Sequence, residues 1–262
     1  MKRLTYYLRI WWLMSKNSMV SVFYAKLALA IFLVGKILRI SFFVIFLYFL
    51  VSGTETLAGY SLNQTIFFFL TFNLVDITSQ FLFREVYRFR PLVVSGSFDL
   101  VLVKPVNALF RVLMGGADVI DLITIPPLIY AIYYFGSQLS PSASSVFLYL
   151  ALLINGFLIA TAFHIAVLAL GIITLEIDHT IMIYRDLMGL GKLPVDIYKE
   201  PIRSVLTFLI PVGIMVTLPA KAFMGLVNPS GILVSFGLGL LAVFASIRFW
   251  NFALKKYTSA SS

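Results

Sequence analysis

Along the chain, apolar stretches about as long as a bilayer is thick alternate with short polar, basic segments, and this alternation predicts helices rather than strands. A spanning helix needs roughly 20 mostly apolar residues. Six runs qualify, at about 38–52, 62–83, 107–135, 146–173, 203–218 and 231–252, the first and fifth being short. The pattern predicts an all-α, polytopic membrane protein with six transmembrane helices in a single transmembrane domain over residues 1–262.

Residues 1–36 are ambiguous. A hydropathy window draws one span from 24 to 50, but Lys36 and Arg39 fall inside it, and a charge at the bilayer centre costs on the order of 3 kcal/mol on insertion scales. The preferred reading is an N-terminal interfacial helix with Trp11, Trp12 and Tyr24 at headgroup level, the chain turning inward near Lys36 and Arg39. One oblique span over 24–50 is the alternative.

Charge then orients the bundle. Lys2, Arg3, Arg9 and Lys16 precede the first span, Arg84, Arg88, Arg90 and Lys104 follow the second, Arg185, Lys192 and Lys199 follow the fourth, and Lys255 and Lys256 close the chain. The loops 53–61 and 136–145 hold no Lys or Arg. An excess of cations in cytoplasmic loops places both termini, the loop 84–105 and a second loop 174–202 in the cytoplasm.

Composition agrees: 61% of the 262 residues are hydrophobic and 12% charged, and the mean hydropathy is +1.00, outside the range of soluble domains. The net charge of +9 is spread in clusters beside apolar runs, which argues for a membrane orientation signal and against nucleic acid. With no cysteine, disulfides, thiol nucleophiles and thiolate metal sites are excluded.

Within the first cytoplasmic loop, Pro91 suits the first turn of a helix, Leu92, Val93 and Val94 give it an apolar side, and Gly96 ends it in a left-handed cap. Ser97 caps a second segment carrying Phe98, Asp99, Leu100 and Leu102, which Pro105 stops. Such a basic-flanked amphipathic segment is either an anchor on membrane lipid or a docking element for a cytoplasmic partner.

Polar groups inside the spans are the remaining candidates. Asp76 has Asn73 and Gln80 at i−3 and i+4, and Asp118 and Asp121 share a face of the third span, with Arg84 and Arg111 near enough in sequence to pair with them. Two roles fit: an ion-pair lock near the cytoplasmic end, or a substrate or proton path. The tandem Pro126 and Pro127 predict a kink. Glu176, Asp178, Arg185 and Asp186 read as a solvated face or a second partner contact. His164 and His179 form no ligand spacing, and neither a phosphate-binding glycine loop nor a nucleophile elbow occurs. The chain is therefore not read as an enzyme, and no metal or cofactor is assigned to it.

The run FREVYRFRPLVVSGSFDLVLVKPVNALFR, residues 83–111, resembles the first cytoplasmic loop of bacterial ABC transporter permeases of the type-2 exporter class, through a Gly-x-x-Asp element at Gly96 to Asp99 followed by Lys104 and Pro105. GLGKLPVDIYKEPIR, residues 189–203, and the closing FWNFALKKYTSASS resemble two further family elements in the expected order. The resemblance implies a coupling helix seated on a separate ABC ATPase, which would hold ATP and Mg, with Phe98 and Leu92 to Val94 filling a groove on it and Arg88 and Arg90 steering the contact. It also implies a re-entrant hairpin before the last span, placed at 218–231, where Pro219, Gly225 and Pro229 break the chain. A second permease, identical or paralogous, and the bacterial plasma membrane complete the expectation. The competing reading is an ion-gradient-driven transporter or channel using Asp76, Asp118 or Asp121; an intramembrane lipid-modifying enzyme ranks third.

Overall fold

A computed structural model describes residues 2–174 and 177–258; Glu176, the side chain of Asp178 and residues 259–262 lie outside the described residues. Among the described residues the chain is helical and forms no β-strand. Helices α1 (Lys2–Tyr24) and α2 (Lys26–Thr54) are followed by α3 (Leu62–Phe83), α4 (Phe89–Val94), α5 (Phe98–Leu102), α6 (Ala108–Leu113), α7 (Val119–Ser137), α8 (Ala143–Thr174) and α9 (Ile177–Gly189). Short α10 (Ile202–Ser204) and α11 (Leu218–Phe223) precede the long closing helix α12 (Pro229–Lys256).

Local chemistry sets the starts of several helices. Ser61 and Gln64 form a capping box on α3, Asn107 accepts from the Phe110 N–H to start α6, and Asp118 accepts from the Ile120 N–H to start α7. Five segments are long and apolar enough to cross a membrane: Lys26–Thr54, Leu62–Val94, Val119–Ser137, Ala143–Thr174 and Pro229–Lys256.

Contacts define two ends of the bundle. At one end, Phe83, Phe89, Phe98, Ile172, Ile181 and Trp250 share a core. At the other, Tyr60, Phe67, Tyr149 and Phe223 meet: Phe67 stacks on Phe223 with centroids 4.4 Å apart, and Tyr149 meets Phe223 edge-on at 5.2 Å. We call these the Phe98 end and the Tyr60 end.

The N-terminal expectation is corrected by α2. The chain breaks at Ala25, between α1 and α2, and the helix continues without a turn through Lys36 and Arg39. The inward turn placed at 36–39 is absent because Lys36 has a carboxylate partner, Asp121, which removes the isolated-charge penalty on which that reading rested. Helix α1 lies across the Phe98 end: the Tyr7 ring packs edge-on to Phe110 at 4.8 Å, and the Ser15 hydroxyl accepts from the Ala117 N–H at 3.2 Å.

The third span is broken before α7, at residues 114–118, rather than at the prolines; α7 itself runs through Pro126 and Pro127, both exposed. Gly115 and Gly116 make the break compact. A Cβ on Gly115 would sit 2.1 Å from Arg111 Nη1, and one on Gly116 would press on Ser18 of α1 at 3.1 Å.

Two further corrections concern residues 174–223. The segment expected to form a second loop at the Phe98 end instead returns through the bundle. Ile181 packs in the core at the Phe98 end, Met188 in the other core, and Asp196 accepts from the Tyr60 hydroxyl at 2.9 Å. Residues 177–197 therefore run from the Phe98 end to the Tyr60 end, where Asp196 lies.

The run 203–218, expected to span, belongs to the re-entrant hairpin. Its two arms, Ile202–Leu209 and Gly213–Phe223, meet at a 75° bend beside Pro211, which has no N–H to continue a helix. Arg203 at its start and Lys221 near its end both bind Asp196, so the chain leaves and returns to the Tyr60 end. The hairpin precedes the last span as expected but lies upstream of 218–231, which holds only its final turn and the link to α12.

Helix α8 holds the hairpin from below. A Cβ on Gly156 would lie 2.8 Å from the Met215 carbonyl oxygen, and backbone cannot yield as a side-chain tip can. Gly156→Ala is expected to destabilise the protein by about 1–3 kcal/mol, the usual cost of overpacking, read as a lower midpoint in thermal unfolding of the detergent-solubilised chain. An unchanged midpoint would show that the hairpin is not seated on α8.

Candidate partner-facing loop and intrabundle charges

From α3 the chain passes through a 3-10 turn, Arg84–Arg88, into α4, reverses at Ser95 and Gly96, and enters α5. Gly96 has φ +72°, the left-handed conformation expected of it. Ser97 does not cap: it lies in the helical region, and its N–H is met by Ser95 Oγ at 3.4 Å.

Helices of five and six residues do not stand alone, and aromatic packing supports these. Phe89 and Phe98 are completely buried and meet edge-on at 5.1 Å; each lies 6.4 Å from the Trp250 ring, and Phe98 lies 5.2 Å from Tyr257. The loop is thus clamped to the last turns of α12. At its base Glu85 accepts from Arg111 at 2.9 Å and pairs with Arg88 at 3.7 Å.

This corrects the expected contact surface. Phe98, Val93 and Gly96 face inward, Leu92 and Asp99 are half-buried, and the exposed residues include Arg88, Arg90, Val94, Leu100, Leu102 and Val103. Leu100 is 62% and Val103 79% exposed. The largest aromatic in the segment anchors it, and smaller aliphatics form the outer face. Sequence reasoning named Leu100 and Leu102 as part of the second segment but gave them no contact role, because a five-residue helix shows too few turns for its periodicity to be read.

The intramembrane carboxylates separate into two groups. Asp118 pairs with Arg84, Nε to Oδ2 at 3.2 Å, and Asp121 pairs with Lys36. Both tie neighbouring elements together at the Phe98 end, in the manner of an ion-pair lock. Arg111, expected as a partner for Asp118 or Asp121, is taken by Glu85 instead. Lys36 is the partner that sequence reasoning missed, and the signal was the cation within the apolar run 24–50, which called for a buried acid elsewhere.

Asp76 differs. It accepts from Gln80 Nε2 at 2.9 Å, while Asn73 donates to the Phe69 carbonyl at 2.8 Å. Asp76 and Asn73 line a cavity of about 430 Å³ between α2, α3 and α9, together with Arg39, Phe43, Phe69, Phe72, Met182, Arg185, Asp186 and Lys192. Arg185 and Asp186, expected on a solvated face, are exposed and lie on α9 along the lining of this cavity.

At the Tyr60 end, Asp196 gathers Tyr60, Arg203 and Lys221, with Lys221 Nζ at 2.7 Å from Oδ2. Burial alone would raise the Asp196 carboxyl, but hydrogen bonds from Lys221 and Tyr60 and the charges of Lys221 and Arg203 outweigh it and hold the group below the usual carboxylate range. A carboxyl depressed on folding stabilises the fold above its unfolded pKa, about 4, and that contribution is lost as pH falls through the lower folded value. The thermal midpoint of the parent is expected to drop more steeply below about pH 4 than that of Asp196→Asn; parallel pH profiles would remove this role from Asp196.

His164 is buried in α8, its Nδ1 2.8 Å from the Ala160 carbonyl and its ring against Phe83 and Tyr184. Among the described residues no group of three or more His, Cys, Asp or Glu side chains comes together to hold a metal ion.

The family model for an ABC-2 family transporter protein matches residues 36–261, most of the chain. No curated protein and no solved structure matches it. The match takes in α2 from Lys36 onward, the clamped loop 84–105, the hairpin and α12, and the helices themselves are long enough to cross a membrane several times. The chain is a multi-pass membrane protein of the ABC-2 transporter family, of the permease type.

Proposed function

We propose that the chain is the membrane-spanning subunit of an ATP-driven exporter in the plasma membrane of a bacterium, worked through residues 84–105 by a separate ABC ATPase that binds ATP and Mg. The observation that carries this reading is the exposed face of the loop, Arg88, Arg90, Val94, Leu100 and Val103, mounted on the buried Phe89, Phe98 and Trp250 clamp. A surface that only anchored to lipid would not need so rigid a mount. Force applied to the outer face reaches α12 and, through Phe83 and Ile172 in the same core, α3 and α8.

Charge supports the orientation. With Lys199, Arg203 and Lys221 at the Tyr60 end, the Phe98 end still carries Arg84, Arg88, Arg90, Lys104, Arg111, Lys255 and Lys256, and such an excess favours the cytoplasm for this end and both termini. Two copies, or this chain and a paralogue, line the path, because the open charged face of α2 and α9 needs cover in a bilayer. ATP binding tilts the spans between inward-open and outward-open arrangements, a two-state element biased by the partner.

The ion-driven alternative loses support at Asp118 and Asp121, which are held in ion pairs. The test of the ATP-driven reading is Leu100→Glu, a change on the exposed face that spares the clamp. A charge buried at the contact is expected to lower recovery of the ATPase with the purified chain about tenfold or more, with helical content unchanged. Full recovery, and ATP turnover equal to the parent's, would contradict the assignment of this face.

A further inference from the structure

Arg39 is near the midpoint of the 29-residue α2, about 20 Å from either end at 1.5 Å per residue. Arg185 and Lys192 come to the same cavity from α9 and the turn after it, and Asp76 from α3. Among the described residues none of Arg39, Arg185 and Lys192 has a carboxylate within ion-pair distance; Lys192 sits over the Phe43 ring at 6.0 Å. Elsewhere in the bundle part-buried cations are paired, Lys36 with Asp121 and Arg111 with Glu85, whereas Arg39, Arg185 and Lys192 stand exposed along this groove. Left open to a bilayer, such charges are costly, and on the face that a second permease would cover they mark a ligand or water path.

The lining has three cations against two carboxylates, and Oδ2 of one of these, Asp76, already accepts from Gln80. The surplus favours an anion. The lining also has an apolar part: Phe43 stacks on Phe69 at 4.3 Å, and Phe72 lines the cavity with them. Met182, also on the lining, is exposed. A cavity of about 430 Å³ exceeds the needs of a bare ion and falls among ligand pockets.

We propose that this cavity binds the acidic headgroup of an amphiphile, a phosphate or carboxylate on an apolar chain, with Arg39, Arg185 and Lys192 on the acid and Phe43, Phe69 and Phe72 along the chain. The inference rests on the transport reading only in treating this ligand as cargo. Asp76 and Asp186, on the same lining, disfavour a second acid in the site.

The test measures binding of radiolabelled dodecyl phosphate to the full-length chain in phosphatidylcholine nanodiscs, without the ATPase. Binding is expected to saturate, and R185Q and K192Q each to weaken it about tenfold or more, since each removes a charged hydrogen bond. R185K should retain most of the affinity, and neither dodecyl maltoside nor inorganic phosphate should compete at equal concentration. Parent-like affinity in both R185Q and K192Q, with helical content preserved, overturns the proposal. So does equal competition by dodecyl maltoside, which would make the cavity an apolar site, or by inorganic phosphate, which would make it a plain anion site. Because no ATPase is present, a failure to assemble with one counts against the transport reading and leaves this result intact.

Discussion

Replacing Lys36 by methionine is expected to destabilise the protein by about 3–5 kcal/mol, because it strands the Asp121 carboxylate in the bundle without its counter-charge. The Asp121 side chain is 4% and that of Lys36 12% exposed, so water cannot take over the lost partner. Helix α2 touches the rest of the bundle sparsely, with Leu47 and Val51 its only buried residues, and the pair is a principal tie between α2 and α7. The double variant K36M/D121L is expected to recover most of the loss, since an apolar pair of similar volume replaces a buried ion pair at little cost. Unfolding of the detergent-solubilised chain by sodium dodecyl sulfate, followed by helical circular dichroism, reads both. A K36M curve superimposed on the parent would mean that the pair contributes nothing.

Phe98→Ala carries the second large effect, about 3–5 kcal/mol, the usual result of emptying a buried aromatic site. Phe98 touches Phe89, Trp250 and Tyr257 and is fully buried, so its loss leaves the outer face chemically intact but unmounted. Stimulation of ATP turnover by the permease should therefore fall severely with F98A and return substantially with F98L, which refills much of the volume. A contact residue would not be rescued this way: a direct role for Phe98 on the ATPase predicts equal loss in both variants.

The long apolar helices α3, α8 and α12 were legible in the sequence because their composition alone satisfies the bilayer. Helix α2 was obscured by Lys36 and Arg39. Hydropathy counts each as a cost, whereas the structure supplies Asp121, 85 residues away in sequence, to one and opens a cavity to the other. The end-to-end run of 177–197 was hidden for a related reason: Arg185 and Asp186, exposed on the lining of that cavity, give a segment packed on the bundle the composition of a loop. The hairpin reverses the error. Residues 203–218 are apolar enough to span, and only the Asp196 network shows that both arms start and finish at one end.

The loop 84–105 was legible in outline from Pro91, Gly96 and Pro105. Its inner and outer faces were not, since the choice between Phe98 and Leu100 depends on where Trp250 and Tyr257 arrive from the far end of the chain.

The absence of native cysteine allows the docking of an ABC ATPase on the outer face of residues 84–105 to be tested at single sites. Val103→Cys on the outer face and Ala58→Cys at the Tyr60 end would each be labelled with a photoactivatable maleimide in native membranes, irradiated, and any adduct identified by mass spectrometry. A covalent adduct of the Val103→Cys chain with an ABC ATPase is expected, and none from Ala58→Cys. An ATPase adduct at position 58, or none at position 103 when the ATPase co-purifies, would contradict that docking.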